Sequence, residues 1–401
     1  MQRPHLHFHL GEFLPHHLTR AVKQLVGSVA ILGFAVSAVT LFEPIYLYTL
    51  GYPLRSIVGF YLIVYVLYVV LLPIGARFAA RFGYARSMLI GSLLYIPYYL
   101  SLFGIERAPW LFFVAPIFFA LQKSFYWPAF HADFARFSTA GEVGREIGET
   151  SLVVTAVSII GPLVGGTIAS VFGFSWLFVT VSILIFLSNI PLFRSKRNYP
   201  AEPYSYGLPF RALREKTNRP RVLAYAGYGE ELVYMVLWPI FVFTVTAGIF
   251  RVGAIMTTAA VLVSLVLLII GRWADQNRKR SLISAGSVAV SMSAFARVVA
   301  ISAPLLLFAE SAYRISRAAV DLPLLTDLYT RAKQRQVLTE ASVFELSLSL
   351  GKILMMLALF GLLTLAPSPW YTIFLLSAIF ALLFAQLPKA FTTDEKTPTP
   401  R

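Results

Sequence analysis

Ionisable side chains inside long apolar segments are the residues of this chain whose types and positions could do chemistry. A charge near the centre of a lipid bilayer costs about 2.5–3.5 kcal/mol on insertion scales, so it normally faces the protein interior and holds a proton, an ion or a partner side chain. The candidates for a proton or transport site are Glu43, Lys123, Glu230, Glu231, Arg297, Arg314, Arg317, Glu345 and Lys352.

Glu230 and Glu231 are the preferred pair. They lie about ten residues into an apolar segment, hence about 15 Å along a helix and near the middle of a membrane. Two neighbouring acids in a low dielectric resist double ionisation. Adjacent helical residues also point about 100° apart, so we do not expect the two acids to share one role. We predict that at least one binds a proton or a cation; the alternative is a salt bridge to a neighbouring helix.

Four further charges follow one another at spacings of four, three and four residues: Glu310, Arg314, Arg317 and Asp321. These spacings place them on one face of a helix, where neighbouring opposite charges can pair. We interpret the set as a ladder that neutralises itself and faces either the cavity or another polar helix.

Glu43 precedes Pro44 in the outer half of the first apolar segment. We interpret it either as a carboxylate near the outer surface that water reaches or as a protonatable gate residue. Tyr98 and Tyr99 are expected at the lipid interface, with lining of an internal cavity as the alternative. His131 is expected to be a satisfied histidine near a helix end, with a pH-sensitive gate as the alternative.

Composition places the chain among membrane proteins. Of its 401 residues 58% are hydrophobic and 13% are charged, whereas soluble domains carry about 25% charged residues. Apolar runs of this length predict membrane-spanning helices, because a helix satisfies its own backbone in lipid. The absence of cysteine excludes disulfides and thiolate metal sites. We expect an all-α membrane protein with no cofactor and no enzymatic constellation.

Twelve spans are predicted from the apolar runs and the residues that interrupt them. Their expected ranges are 23–50, 56–79, 86–104, 109–136, 146–170, 174–194, 221–247, 251–273, 280–302, 304–330, 337–365 and 369–388.

Lysine and arginine mark one side of these spans. With the N-terminus inside, the inner segments carry 26 basic residues and the outer loops carry 3. Cytoplasmic loops are rich in basic residues, so we predict that both termini are cytoplasmic, in a plasma or bacterial inner membrane. This distribution by side also accounts for the net charge of +15 without nucleic acid.

The predicted organisation has five parts. They are a His-rich tail (1–22), a six-helix bundle (23–194), a linker rich in proline and charge (195–220), a second six-helix bundle (221–388) and a C-terminal tail (389–401). Histidines in the first tail could bind a transition metal, but no coordinating set accompanies them, so we predict no metal site.

The two bundles repeat one another at an interval of 195 residues. Pro44 corresponds to Pro239 (239 − 44 = 195) and Pro128 to Pro323 (323 − 128 = 195). Two similar hydrophobic halves are typical of a transporter whose halves rock around a central site.

The loop after the second span of each half resembles the signature G-x-x-x-D-R-x-G-R-K of the major facilitator superfamily. In the second half Gly271, Asp275, Lys279 and Arg280 match the pattern. In the first half Arg81 and Gly83 match, while Ala76 and Ala80 stand at the glycine and aspartate positions.

The fifth span is similar to the motif G-x8-G-x3-G-P-x2-G-G of drug:proton antiporters in that superfamily. Its small residues would let two helices approach closely, and its proline would bend the helix. A plain helix-packing face is the alternative. Five of six motif positions match: Gly148, Gly161, Pro162, Gly165 and Gly166.

The resemblance implies the fold of this superfamily and a secondary active transporter that works by alternating access. The fifth-span motif and the acids near the membrane centre favour proton-coupled efflux of a small amphipathic compound by a monomer. The alternatives are a facilitator or symporter for a sugar or organic anion and, in another class, a non-transporting membrane sensor on the same fold.

Overall fold

A computed structural model gives the arrangement of the chain. It describes residues 20–137, 156–157, 159–193, 203–270, 279–365 and 370–390, and within these ranges every regular element is a helix.

The first half supplies six helices that we number α1 to α6. Helices α1 and α3 are each interrupted within the span. The bounds are Arg20–Val39 and Phe42–Thr49 for α1, Leu54–Phe82 for α2, Tyr84–Leu93 and Tyr95–Gly104 for α3, Leu111–Phe137 for α4, Ile159–Val171 for the described part of α5, and Phe174–Phe193 for α6.

The second half supplies α7 to α12, after a short linker helix over Gly207–Arg214. Helix α7 consists of Arg219–Ala226, Gly229–Leu232, a π-helical turn Val233–Leu237 and Trp238–Thr246. The others are α8 (Ile249–Ile270), α9 (Lys279–Val298), α10 (Ala303–Gln334), α11 (Val337–Leu365) and α12 (Trp370–Ala381, ending in a 3-10 turn Leu382–Gln386).

Seven of the described helices are long and apolar enough to cross a membrane, and three shorter apolar helices lie in α5, α6 and α8. Neither α4 nor α10 is among them, although both span the bundle. Both carry charged or polar side chains in the middle of the helix, including Lys123 in α4 and Arg317 in α10. The two helices that fall short of the apolar criterion are therefore helices that carry candidate site residues.

Helix starts reproduce the sequence repeat. Helix α8 begins 195 residues after α2 (249 − 54 = 195). The prolines of the repeat also fall at equivalent places, since Pro128 lies inside α4 and Pro323 inside α10. The chain is thus two similar six-helix bundles joined by the linker.

Proline shapes the helices that carry the candidate site. It lacks an N–H group and clashes with the carbonyl four residues earlier, so a helix bends there. Pro128 withdraws the helical donor from the carbonyl of Ser124, and Gly75 of α2 packs closely against that carbonyl. Pro239 is the second residue after the π-helical turn of α7.

Residues of the two halves meet at both ends of the bundle. We call the end with the α2–α3 loop, the linker helix and the α10–α11 loop the basic end, because Arg81, Arg86 and Arg335 lie there. At the basic end, Leu338 of α11 packs into a cluster of small side chains from α2 and α4. At the opposite end, Gly166 of α5 lies against Gly253 of α8.

Candidate functional site

Arg317 of α10 is the centre of a charged network between α7 and α10. Its Nη1 lies 2.6 Å from Glu230 Oε1, its Nε lies 3.1 Å from Asp321 Oδ2, and its Nη2 lies 3.8 Å from Glu231 Oε1. The guanidinium also lies over the ring of Tyr228, with its central carbon 4.3 Å from the ring centre. One buried cation therefore binds three carboxylates.

Glu230 and Glu231 share one partner in the structure, and their separate roles stay a prediction. Both carboxylates reach Arg317, because α7 is not a regular α-helix at this point. The acids lie in a four-residue helical segment, Gly229–Leu232, which a π-helical turn follows. A long, forked guanidinium can then bind two side chains that leave the helix in different directions.

Lys352 of α11 connects this network to the other half. Its Nζ lies 2.8 Å from Glu231 Oε2 and donates a hydrogen bond of 3.3 Å to the hydroxyl of Tyr65 in α2. The Glu231 side chain is 27% exposed, whereas those of Lys352 and Arg317 are 7% and 8% exposed. Glu231 is therefore the most accessible of these three side chains, and it lies where the halves meet.

Glu310 of α10 is fully buried and accepts hydrogen bonds from three side chains. Arg314 Nε donates to Oε1 at 2.6 Å, the Tyr234 hydroxyl donates to Oε1 at 2.7 Å, and the Trp238 indole donates to Oε2 at 2.8 Å. Together with the Arg317–Asp321 pair, the Arg314–Glu310 pair gives the four-residue ladder on α10. The sequence spacing predicts this ladder, but not its aromatic donors.

Arg297 of α9 lies among aromatic rings. Its guanidinium carbon is 4.2 Å from the ring centre of Tyr313, 5.2 Å from that of Trp238 and 5.3 Å from that of Tyr234. Within the described residues its three nitrogen atoms have no hydrogen-bond partner, and the side chain is fully buried. Cation–π attraction compensates part of the cost of burying this charge.

Glu43 of α1 lies in a cage of tyrosines in the first half. The hydroxyl of Tyr98 donates to it at 2.8 Å and that of Tyr99 at 3.0 Å, while Tyr61 of α2 lies 3.5 Å away. The prediction that Tyr98 and Tyr99 face the lipid is wrong, since both are fully buried. The buried carboxylate needs several donors, and these hydroxyls provide them.

Lys123 of α4 also points into the first half. Its Nζ lies 4.5 Å from the ring centre of Phe119 and 5.3 Å from that of Tyr65. Tyr65 therefore lies between Lys123 of one half and Lys352 of the other. No carboxylate of the described residues lies within salt-bridge distance of Lys123, which leaves its ammonium available to an anionic group.

His131 and Glu345 form a direct contact between the halves near the basic end. His131 Nε2 of α4 lies 3.0 Å from Glu345 Oε1 of α11, and His131 Nδ1 lies 3.0 Å from the Tyr329 hydroxyl of α10. Tyr68 of α2 donates a hydrogen bond of 2.8 Å to Glu345 Oε2. Both ring nitrogens of His131 thus have hydrogen-bond partners, as expected, and these partners belong to the opposite half.

The glycines of α5 are packing residues in the structure. A side chain at Gly161 would collide with Ser37, and one at Gly165 with the carbonyl of Ala38, both in α1 just before its interruption. A Cβ at Gly166 would lie 3.4 Å from the Cα of Gly253 in α8. The segment that contains Pro162 therefore contacts one helix of its own half and one of the other.

The loop motif is described only in part. Arg81 lies in the last turn of α2, and Gly83 has the positive φ of 95° that glycine adopts without strain. Gly148, Gly271 and Asp275 lie outside the described residues, as do the histidines of the first tail. Lys279 and Arg280 begin α9, and the structure gives no account of their side chains.

Tyrosines of α2 were missed as site residues by the sequence reasoning. Tyr61, Tyr65 and Tyr68 contact Glu43, Lys352 and Glu345, respectively. Their spacing of four and three residues is the signal that could have found them, since it places three hydroxyls on one helical face.

Burial also raises the pKa of Tyr204, in the linker, whose hydroxyl donates to Ser342 at 3.4 Å.

Comparison with known families decides the identity of this architecture. The model of the Major Facilitator Superfamily matches residues 25–309 of the chain. The chain belongs to the Major Facilitator Superfamily. It is therefore a secondary active transporter of the membrane, and a carrier rather than an enzyme. No curated protein sequence matches the chain.

Solved structures with the same fold include several transporters of the POT family. The POT family transporter PepTSo has a TM-score of 0.68 and 16% identity, over 95% of this chain and 99% of that chain. A POT family transporter in complex with 5-aminolevulinic acid has a TM-score of 0.72 and 14% identity, over 96% of this chain and 99% of that chain. These likenesses extend over nearly the whole chain, and at such low identity they concern the fold.

Proposed function

We propose that this transporter couples the movement of protons to the export of a small amphipathic compound, with Glu231 and Lys352 as the exchanging pair. In this proposal the basic end faces the cytoplasm, in keeping with the distribution of lysine and arginine. The site lies between the halves, where alternating access exposes it first to one side and then to the other.

The observation that carries the proposal is the bridge Glu231–Lys352–Tyr65. Glu231 and Lys352 belong to the second half and Tyr65 to the first, so rocking of the halves must remake this contact. Buried pairs of opposite charge persist only while each charge keeps a partner. A proton on Glu231 therefore frees Lys352, and a cationic solute group on Glu231 displaces both Lys352 and the proton.

The surroundings of the bridge suit a compound with both apolar and charged parts. Tyr65, Phe119 and Tyr228 present aromatic faces to neighbouring cations. Aromatic faces attract organic cations, and they also pack against apolar groups. Export is favoured by the α5 glycines, whose pattern is similar to that of antiporters and which contact both α1 and α8.

Replacing Glu231 by Gln should abolish coupling while the protein stays folded. The amide cannot exchange a proton, yet it can still accept a hydrogen bond from Lys352. We expect proton flux driven by ethidium, a fluorescent amphipathic cation, to fall at least tenfold in proteoliposomes that contain a pH-sensitive dye. About 1.4 kcal/mol of lost coupling free energy is enough for such a change.

Glu106→Gln is the matched control, because Glu106 is an exposed acid outside the network. It should transport like the unmodified protein. The assignment of the exchanging pair is contradicted when Glu231→Gln keeps full coupled flux. Coupling itself is contradicted when transport of every probe is indifferent to an imposed pH gradient.

A second candidate is proton-coupled uptake of a small solute that carries a carboxylate. Lys123, which has no carboxylate within salt-bridge distance among the described residues, favours it. Structural neighbours include proton-dependent oligopeptide transporters and a transporter that binds 5-aminolevulinic acid. The same proteoliposomes distinguish the candidates, since a dipeptide or 5-aminolevulinic acid would then enter together with protons, whereas exported ethidium moves against them.

A further inference from the structure

We propose that His131 and Glu345 form a proton-binding site, separate from the exchanging pair, that holds the halves together at the basic end when His131 is protonated. The site is built from four side chains, two of each half: Tyr68 and His131 of the first, Tyr329 and Glu345 of the second. The proposal rests on the proposed function for its consequence in transport, but the closure that it predicts requires no substrate.

The contacts of His131 suit both protonation states without movement of heavy atoms. In the neutral state Nε2–H donates to Glu345 and Nδ1 accepts from the Tyr329 hydroxyl, over the observed 3.0 Å in each case. In the protonated state both nitrogens donate, and the Tyr329 oxygen becomes an acceptor. Tyrosine can serve in either role, so His131 Nδ1 keeps a hydrogen-bond partner in both protonation states.

Protonation strengthens the bond across the interface. The bond from a neutral imidazole to a carboxylate is already charge-assisted, and protonation of the imidazole adds the Coulomb attraction between two opposite charges. Both partners are buried, with 8% and 5% of their side chains exposed, so water screens this attraction little. Acid that protonates His131 should therefore favour closure, and loss of this proton should favour opening.

Other titratable groups around the imidazole do not replace it in this role. Tyr68 of α2 and Tyr329 of α10 are hydroxyl partners, Glu345 of α11 is the carboxylate partner, and Asp133 lies on α4 two residues away. The remaining groups approach through other side chains. Tyr225 and Tyr228 of α7 pack on Phe344, Tyr204 of the linker lies on Ser342, and Tyr84 of α3 lies under Arg136.

Closure by acid would have a simple role in a proton-coupled exporter. Each transport cycle brings a proton to the compartment at the basic end. When that compartment becomes acidic, a protonated His131 would keep the basic end shut and slow the cycle. The site would thus slow proton entry when the protons that transport has delivered accumulate at the basic end.

The experiment measures the distance between the halves in the full-length protein. The chain has no cysteine, so a labelled pair needs no background mutations. Arg86→Cys and Gln334→Cys place spin labels at exposed positions of the basic end, one in each half. In lipid nanodiscs without substrate, we expect the ratio of closed to open distances to rise about fivefold from pH 8 to pH 5.

His131→Gln should abolish this pH response, because glutamine keeps polar contacts but does not titrate. Asp133→Asn and Glu231→Gln should retain it, the first as a matched acid on the same helix and the second as the exchanging residue. A pH response that survives His131→Gln overturns the proposal. If His131→Gln does not fold, Glu345→Gln replaces it, and an undiminished response in that variant is equally contrary. Loss of the response with intact proton flux supports this site, whereas loss of flux with an intact response concerns only the proposed function.

Discussion

At the scale of single residues, the second half balances its buried charge. The described network contains four cations, Arg297, Arg314, Arg317 and Lys352, and four carboxylates, Glu230, Glu231, Glu310 and Asp321. Burying an ion pair contributes little net stability, but removing one member of a buried pair leaves an uncompensated charge that is strongly unfavourable. The network is therefore sensitive to any change of one charge.

Arg317→Met should lower the free energy of unfolding by about 3–5 kcal/mol, because Glu230 loses its 2.6 Å partner and Asp321 its 3.1 Å partner. Adding Glu230→Gln to this variant should recover part of the loss. The measurement is the unfolding of the protein in a mild detergent as a denaturing detergent is added stepwise. Arg55→Met, at an exposed position, is the control and should change stability little. Equal stability of Arg317→Met and the unmodified protein would show that Arg317 does not compensate the acids.

The charged residues could be located from the sequence, but their partners could not. Charge inside an apolar run is visible in the sequence, and a spacing of four predicts Arg314–Glu310 within one helix. Lys352–Glu231 and His131–Glu345 join different helices, and their contact depends on how each helix is rotated about its axis. The tyrosines were missed for the same reason. The sequence does not show whether a tyrosine faces the lipid or a carboxylate inside the protein.

At the scale of helices, α1 and α7 are interrupted. In each, the interruption separates the part nearer the basic end from the part nearer the opposite end. In both helices a proline lies near the start of the last segment, Pro44 in Phe42–Thr49 and Pro239 in Trp238–Thr246. Kinks of this kind change the direction of side chains within one span. They bring Glu43 toward α2 and α3 and Glu231 toward α11.

Gly165→Ala should destabilise the contact of α5 with α1, because the added methyl group collides with the carbonyl of Ala38. Overpacking of this kind costs about 1–3 kcal/mol, which a lowered thermal unfolding temperature in detergent would show. Gly361→Ala is the matched control, since nothing lies within 4 Å of its added methyl group in α11. The control should unfold at the same or a higher temperature, because alanine favours the helix. A Gly165→Ala protein as stable as the control would contradict the packing role.

Helix positions were predicted well where apolar runs end at polar residues or glycine. The span predicted at 337–365 coincides with α11, and most others differ by a few residues. The linker helix Gly207–Arg214 was not predicted. It contains Pro209 and two arginines, a composition typical of an irregular linker. Proline is nevertheless tolerated in the first turn of a helix, and Pro209 is buried.

At the scale of the whole molecule, the two halves are held together at both ends. Gly59 and Phe360 approach at the end opposite to the basic one, where a Cβ at Gly59 would lie 3.6 Å from the phenyl ring. His131 and Glu345 lie near the basic end. Contacts between the halves are present at both ends, and in transport by alternating access each set must open in turn.

Linking the halves at one end should therefore stop transport. Gly59→Cys with Phe360→Cys, joined by a short bifunctional thiol reagent, should abolish proton flux, and a reagent that a reductant cleaves should restore it. Tyr52→Cys with Phe112→Cys is the control, because these stacked rings, 4.5 Å apart, belong to one half. That link should leave flux intact. Continued flux through the protein linked at Gly59 and Phe360 would contradict alternating access by motion of the halves.

The repeat predicted two similar bundles, and helix starts 195 residues apart agree with it (249 − 54 = 195). It could not predict how the halves meet, because contacts between them involve residues that do not correspond. Tyr65, for example, contacts Lys352, and neither is the counterpart of the other. Symmetry of the backbone is encoded by repeated apolar runs, whereas the site depends on residues in which the halves differ.

Glu43 and Trp238 occupy the same place in the two repeats (238 − 43 = 195), each directly before a proline. One is the carboxylate of the tyrosine cage, and the other donates its indole N–H to Glu310. If the chain arose by duplication of one six-helix unit, its ancestor carried a single residue type at this place. A pair of identical units would bury either two acids or two indoles there. The difference between acid and donor would then have arisen by divergence of the two copies.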